Sequence, residues 1–187
     1  MSLLEIPGQI PLEQAKVGDV VVFQTGGAFG ALIGAGEWLR RQRFHEIHHC
    51  AVLSDYDAAN GPDPAQCWRA IQAARRVDED FVDTIAHGRE YAVLPLPSGV
   101  SRDHVLAQAR TLLGCDYGVL SIASIALNIF TPDWLHIDFR YDRTIICSAL
   151  VAFCLLAGGY IHDWDDYYEV LPSQIVELLS AEATQVH

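Results

Sequence analysis

The chain has 187 residues, 51% hydrophobic and 19% charged, enough for one folded domain with a substantial core and too apolar for a disordered one. Its net charge of −12 argues against a nucleic-acid partner, which needs a basic face, and against docking on anionic lipid. Five cysteines, at positions 50, 67, 115, 147 and 154, contain no Cys-x-x-Cys pair, which excludes a zinc knuckle or thioredoxin motif and disfavours a secreted disulfide framework.

Residues 1–16 read as an N-terminal lead-in punctuated by Pro7-Gly8 and Pro11, with one short turn over 12–15. They lack a basic region followed by an apolar core, so no signal peptide is expected. A single domain is expected over 17–187. It opens on Gly18-Asp19, a turn, followed by the buried strand Val20-Val21-Val22-Phe23 and a stop at Gly26-Gly27. Residues 28–43 are apolar and then basic; their glycines weaken a helix, although Arg40, Arg41 and Arg43 suit a helix C-terminus.

A short buried strand is expected from His49, closed by Ser54-Asp55, and then a loop over 57–65. Strands follow over 67–74, over 77–83 and from Tyr91, the last ending at Pro95. The clearest helix runs from the N-cap candidate Ser101 to the stop Gly114, with an apolar stripe of Val105, Leu106, Ala109, Leu112 and Leu113. After a turn at 115–118, a more buried helix is expected over 119–130, broken at 131–134.

The segment 143–159 reads as an apolar helix with Cys147 in its first turn. Leu150, Val151, Cys154 and Leu155 form its buried face, and Gly158-Gly159 stops it. An acidic, aromatic surface loop (160–171) leads to a short terminal helix from Pro172. The apolar runs 119–130 and 145–158 fall short of the roughly 20 residues that span a bilayer, so a soluble protein of a reducing, cytoplasmic compartment without membrane insertion is expected. The order of elements implies an α+β fold, a mostly antiparallel sheet with helices packed to one side.

A cysteine at a helix start lies at the positive end of the macrodipole, which favours the thiolate, the reactive form. The competing fate of Cys147 is a small buried core residue. His49 shifts that balance. A nucleophilic Cys and a distant His brought together by the fold form the generic thiol-hydrolase pair, with a third polar group orienting the ring. Gln72 takes that place if its strand lies beside that of His49.

Three pieces in this order resemble the permuted branch of the NlpC/P60 papain-like superfamily (YiiX/YebB-like cysteine hydrolases): Gly18-Asp19 with its strand, His49-Cys-Ala-Val-Leu53, and Cys147-Ser148-Ala149-Leu150-Val151. Gly114-Cys-Asp-Tyr117 and Leu171-Pro172-Ser173 resemble two further turns of that family, so the likeness covers roughly residues 17 to 176. It implies a circularly permuted papain-like fold with a partly barrel-like sheet. It also implies hydrolysis or acyl transfer at an amide or ester bond, on a peptidoglycan peptide or a lipid-like acyl substrate, with no cofactor. Cys147 would be the nucleophile, His49 the base and Gln72 the orienter, with Tyr117, His48 and Ser148 in the substrate cleft. The chain departs from the family at Ala149 and Gln72, where glutamate is usual, and at His48, where serine or threonine is usual.

Two alternatives stand beside this one. His45-Glu46-Ile47-His48-His49 matches His-Glu-x-x-His, which on a helix would bind zinc through His45 and His49 with Glu46 as base. A third ligand would then come from Glu79, His87 or Glu90. The other is a catalytically weak or inactive binding module on the same fold, using the patch around residues 164–168 as a partner surface.

Overall fold

The computed structural model describes residues 6–24, 38, 43–118, 144–160, 162 and 167–185. The expected helix over 119–130 and its break at 131–134 lie outside them, as do residues 25–37 and Trp164, Asp165 and Asp166 of the aromatic patch.

The fold is α+β. Strands β1 (Val20–Phe23), β2 (His49–Tyr56), β3 (Trp68–Ala73), β4 (Val77–Phe81) and β5 (Tyr91–Leu94) form one antiparallel sheet in the order β4-β3-β2-β1-β5. All four residues of β1 are buried, because this β-branched strand runs between two neighbours and is covered on both faces. The two edges are dealt with differently. Edge strand β4 carries Asp78, Glu79 and Asp80, whose charge blocks pairing with another chain. Beyond β5, Ile10 of the lead-in bridges to Val93.

Among the described residues five α-helices accompany the sheet: α1 (Pro64–Cys67), α2 (Val82–Ala86), α3 (Arg102–Thr111), α4 (Cys147–Ala157) and α5 (Pro172–Gln185). The three long ones, α3 to α5, build the main core against Val20, Val22, Cys50, Val52, Ile71 and Leu94. The opposite face is not bare, as helices on one side alone would leave it. Leu12 of the lead-in, Ala65 of α1 and Val82 and Ile85 of α2 pack there on Val21, Phe23, Leu53 and Trp68. The Trp68 indole N–H donates to Leu12 O at 3.1 Å, which ties the lead-in to the sheet.

Several elements differ from expectation: α1 occupies the end of the expected loop and the start of the expected strand at Cys67, α2 cuts the strand expected over 77–83 at Phe81, and the terminal helix is 14 residues long. Residues 115–118 are not only a turn, since β6 (Asp116–Tyr117) pairs in parallel with β7 (Thr144–Ile145), immediately before α4. In addition, α4 is buried around most of its girth, including Ser148, Ala149 and Ala152 as well as the expected stripe. A helix apolar on all sides belongs inside a core, and this one is covered by β2, α3, α5 and the turn at Tyr167–Glu169.

The far end of α4 is locked to the start of α3. Ser101 N donates to Gly158 O at 2.8 Å, and a Cβ at Gly158 would meet Val105 Cγ2 at 2.6 Å and Val100 Cγ1 at 2.7 Å. Gly158→Ala is therefore expected to destabilise the fold by about 1–3 kcal/mol through overpacking. Chemical denaturation with an unchanged m-value checks this.

Candidate active site

The structure brings Cys147, His49 and Gln72 together. Strand pairing does most of this work. Ala51 of β2 stands opposite Gln72 of β3, and His49, two residues earlier, projects to the same face. There Gln72 Oε1 lies 2.8 Å from His49 Nε2. A carbonyl oxygen only accepts, so Nε2 carries a hydrogen, and Nδ1 is the nitrogen left for another partner. The Cys147 side chain also hydrogen-bonds to the His49 ring. Cys147 is the first residue of α4, and Ile146 before it offers no side-chain cap. The helix's positive end therefore faces the sulfur.

Both groups are buried, and each shifts the other. Burial pushes His49 down. The opposite push from the Cys147 charge, from hydrogen bonds to Cys147 and Gln72, and from the Asp78 charge is larger, and the imidazole ends above its ordinary value. Cys147 moves the other way, well below the usual thiol range. A hydrogen bond from the Cys50 side chain contributes most, burial opposes it, and the charge and hydrogen bond of His49 and the Cys50 backbone complete the effect. The two shifts run toward each other, in the direction that favours a thiolate–imidazolium pair. Cys154, seven residues on and surrounded by apolar side chains, is pushed up to about 12 by burial alone.

Cys50 is the participant that sequence reasoning missed. It adjoins His49 in the strand and faces the helix side, so its S–H reaches Cys147. The alternation of β2, together with a helix on that face, was the available signal. Removing the donor in Cys50→Ala is expected to raise the Cys147 pKa and slow its alkylation by iodoacetamide at mildly acidic pH by about tenfold. Cys147 should still react ahead of Cys154. Mass spectrometry of labelled peptides reads both.

The remaining sequence-predicted positions divide. Tyr117 of β6 is half-buried beside the sulfurs. Burial first, then the charges of Cys147 and Cys50, push its phenol far up, so it stays a hydrogen-bond donor over the working pH range. His48 is half-buried, and its backbone N–H donates to Phe23 O at 3.2 Å, which registers the start of β2. Ser148 is a correction. It is fully buried and its hydroxyl donates to Val170 O, so it ties α4 to the segment before α5 rather than lining a cleft.

The His-Glu-x-x-His arrangement lacks the helix it needs. Residues 43–46 form a turn closed by Ile47 N to Phe44 O at 3.0 Å, and the strand begins at His49. His45 and His49 therefore do not share a helical face. Among the described residues no three His, Cys, Asp or Glu side chains are grouped to hold a metal ion. Of the third-ligand candidates, Glu79 is paired with Arg69 at 3.3 Å. Beside the acidic patch, Tyr167 and Tyr168 both pack on Phe153, and Tyr168 stays exposed.

No protein-family model matches the chain, and no curated protein matches it with significance.

Proposed function

We propose that the protein is a cysteine hydrolase or acyl transferase acting on an amide or ester bond, with Cys147 as nucleophile, His49 as its acid–base partner and Gln72 as orienter. One observation carries the reading: a buried imidazole held on one nitrogen by a side-chain carbonyl at 2.8 Å while its side chain also hydrogen-bonds to a thiol at a helix start. The Cys147 thiolate attacks the carbonyl carbon. His49 gives its proton to the leaving amine or alcohol, and the acyl group stays on sulfur as a thioester. The imidazole then takes a proton from water, or from an acceptor alcohol or amine, which attacks the thioester and frees the sulfur. The Cys147 N–H, in the uncapped first turn, supports the oxyanion, and the Tyr117 hydroxyl is a second donor at the same end.

The order of His before Cys and the resemblance of the three motifs support a permuted papain-like, NlpC/P60-type relationship. Peptidoglycan peptides, other small peptides and lipid-like acyl groups are then the substrate classes to test. The open five-stranded sheet of the described residues is compatible with that branch without being a closed barrel.

The test is acylation. Incubation with p-nitrophenyl acetate should release nitrophenol in a burst and leave one acetyl group on the Cys147 peptide. An acetyl group spread over several residues, or none, would refute the mechanism. The pH dependence follows from the two shifts. Activity should rise as Cys147 loses its proton, well below the ordinary thiol value, and fall as His49 loses its own, above the ordinary imidazole value. A kcat/KM profile falling through an ordinary imidazole value of about 6.5 would contradict this.

A further inference from the structure

A carboxylate sits one strand beyond the orienting glutamine. Gln72 of β3 stands opposite Asp78 of β4, so the two side chains share the face that also carries His49. The row is therefore His49, Gln72, Asp78 across three neighbouring strands. Asp78 is half-exposed as a residue, but its Oδ1 is buried and has no protein hydrogen-bond partner. A buried carboxylate oxygen without a donor is costly unless its charge is used. Once Oε1 of Gln72 serves the imidazole, the amide NH2 is the donor left on that side chain, and the strand across from it carries Asp78.

We propose that Asp78 is a positioning residue for the Cys147–His49 pair. Its carboxylate, set behind Gln72, supplies the negative charge that keeps His49 protonated opposite the thiolate. This rests on the Cys147–His49 reading and adds to it. Gln72 can orient an imidazole but brings no charge to balance an imidazolium, and Asp78 brings the charge from the next strand. No covalent step is involved.

The groups around His49 among the described residues are few. Cys147 faces it from α4 and Gln72 from β3, and Phe23 of β1 packs on its ring at 5.8 Å. Asp78 acts from β4, Cys50 is its neighbour on β2, and Tyr117 lies beyond the sulfurs. Arg75 and Arg76, in the turn joining β3 to β4, are exposed. Asp78 is thus the carboxylate whose charge acts on the ring.

The experiment is a proton NMR titration of the His49 ring in the intact protein, its resonance assigned by its loss in His49→Gln. In Asp78→Asn the midpoint should fall by roughly half a unit or more. Alkylation of Cys147 at mildly acidic pH should slow about threefold. Asp80→Asn removes the same charge from the same strand and should move neither. Transferring the charge inward, in the double variant Gln72→Glu/Asp78→Asn, should restore the midpoint, which a merely structural role for Asp78 would not do. Should Asp78→Asn fail to fold, the double variant alone decides by whether its midpoint matches the wild type. An unchanged midpoint in folded Asp78→Asn overturns the inference and leaves the pair intact. A wild-type midpoint that does not fall in Cys147→Ala overturns the pair itself.

Discussion

Replacing Cys147 by alanine is expected to reduce turnover of an activated ester by about 10⁴-fold or more, while stability changes by about 1 kcal/mol or less. The two halves of this result belong together. Cys147 is 3% exposed and packed in the main core, so a purely structural cysteine would also occupy such a position. What separates the roles is that Cys50 and His49 pull the Cys147 thiol well below its ordinary range. Alanine removes the reacting atom and leaves only a small void. His49→Ala should lose nearly as much activity, and the double variant little more than either single one, because the two act as a unit. A melting temperature that drops steeply in Cys147→Ala, with activity partly kept, would return the cysteine to the core.

Asp19→Ala is expected to be the most damaging single change to the fold, by about 3 kcal/mol, or roughly 10 °C in melting temperature. Asp19 is 1% exposed and accepts from Lys16 N at 2.8 Å, Leu96 N at 3.0 Å and Arg102 Nη1 at 2.6 Å. It thereby joins the lead-in, the end of β5 and the start of α3 at the root of β1. Gly18, with φ of +92° and Leu96 Cδ1 only 3.3 Å from where a Cβ would stand, allows the turn that aims it inward. Removing the carboxylate leaves two backbone donors, Lys16 N and Leu96 N, without their acceptor and takes one partner from the Arg102 guanidinium. Arg102 is a third exposed on its side chain and can reach water, so Arg102→Gln should cost markedly less. Equal losses in the two variants would mean that the ion pair, and not the pair of backbone N–H groups, is what Asp19 provides.

Local signals recovered the parts of the site that lie within one element. Gly18-Asp19 followed by three valines marks β1, His49 with its apolar followers marks β2, and an apolar run stopped by two glycines marks α4. Ser101 caps α3 as expected, accepting from His104 N. Signals that depend on which strand lies beside which were harder. Gln72 was reached by supposing that its strand pairs with that of His49, and β2 and β3 do pair. Cys50 and Asp78 were not reached, because their roles come from the helix above one strand and from the register of the next. The β6–β7 pairing involves two residues a strand, too short for any period to show. The burial of Ser148 is illegible in the sequence for a related reason. The periodicity of residues 147–157 indicates one buried face, and nothing in it says that the other faces are covered as well.

Gly158 lies eleven positions along the chain from the sulfur, about 16 Å down the axis of the helix that carries it. A helix hardly compresses, so its two ends move together. Bulk added at 158 against Val100 and Val105 would push the whole rod along its length and lift the sulfur from its seat against Cys50 and His49. A slip of about 1 Å is enough to spoil an attack trajectory. Position 158, which touches none of the reacting atoms, is thus expected to bear on the site through the helix they share.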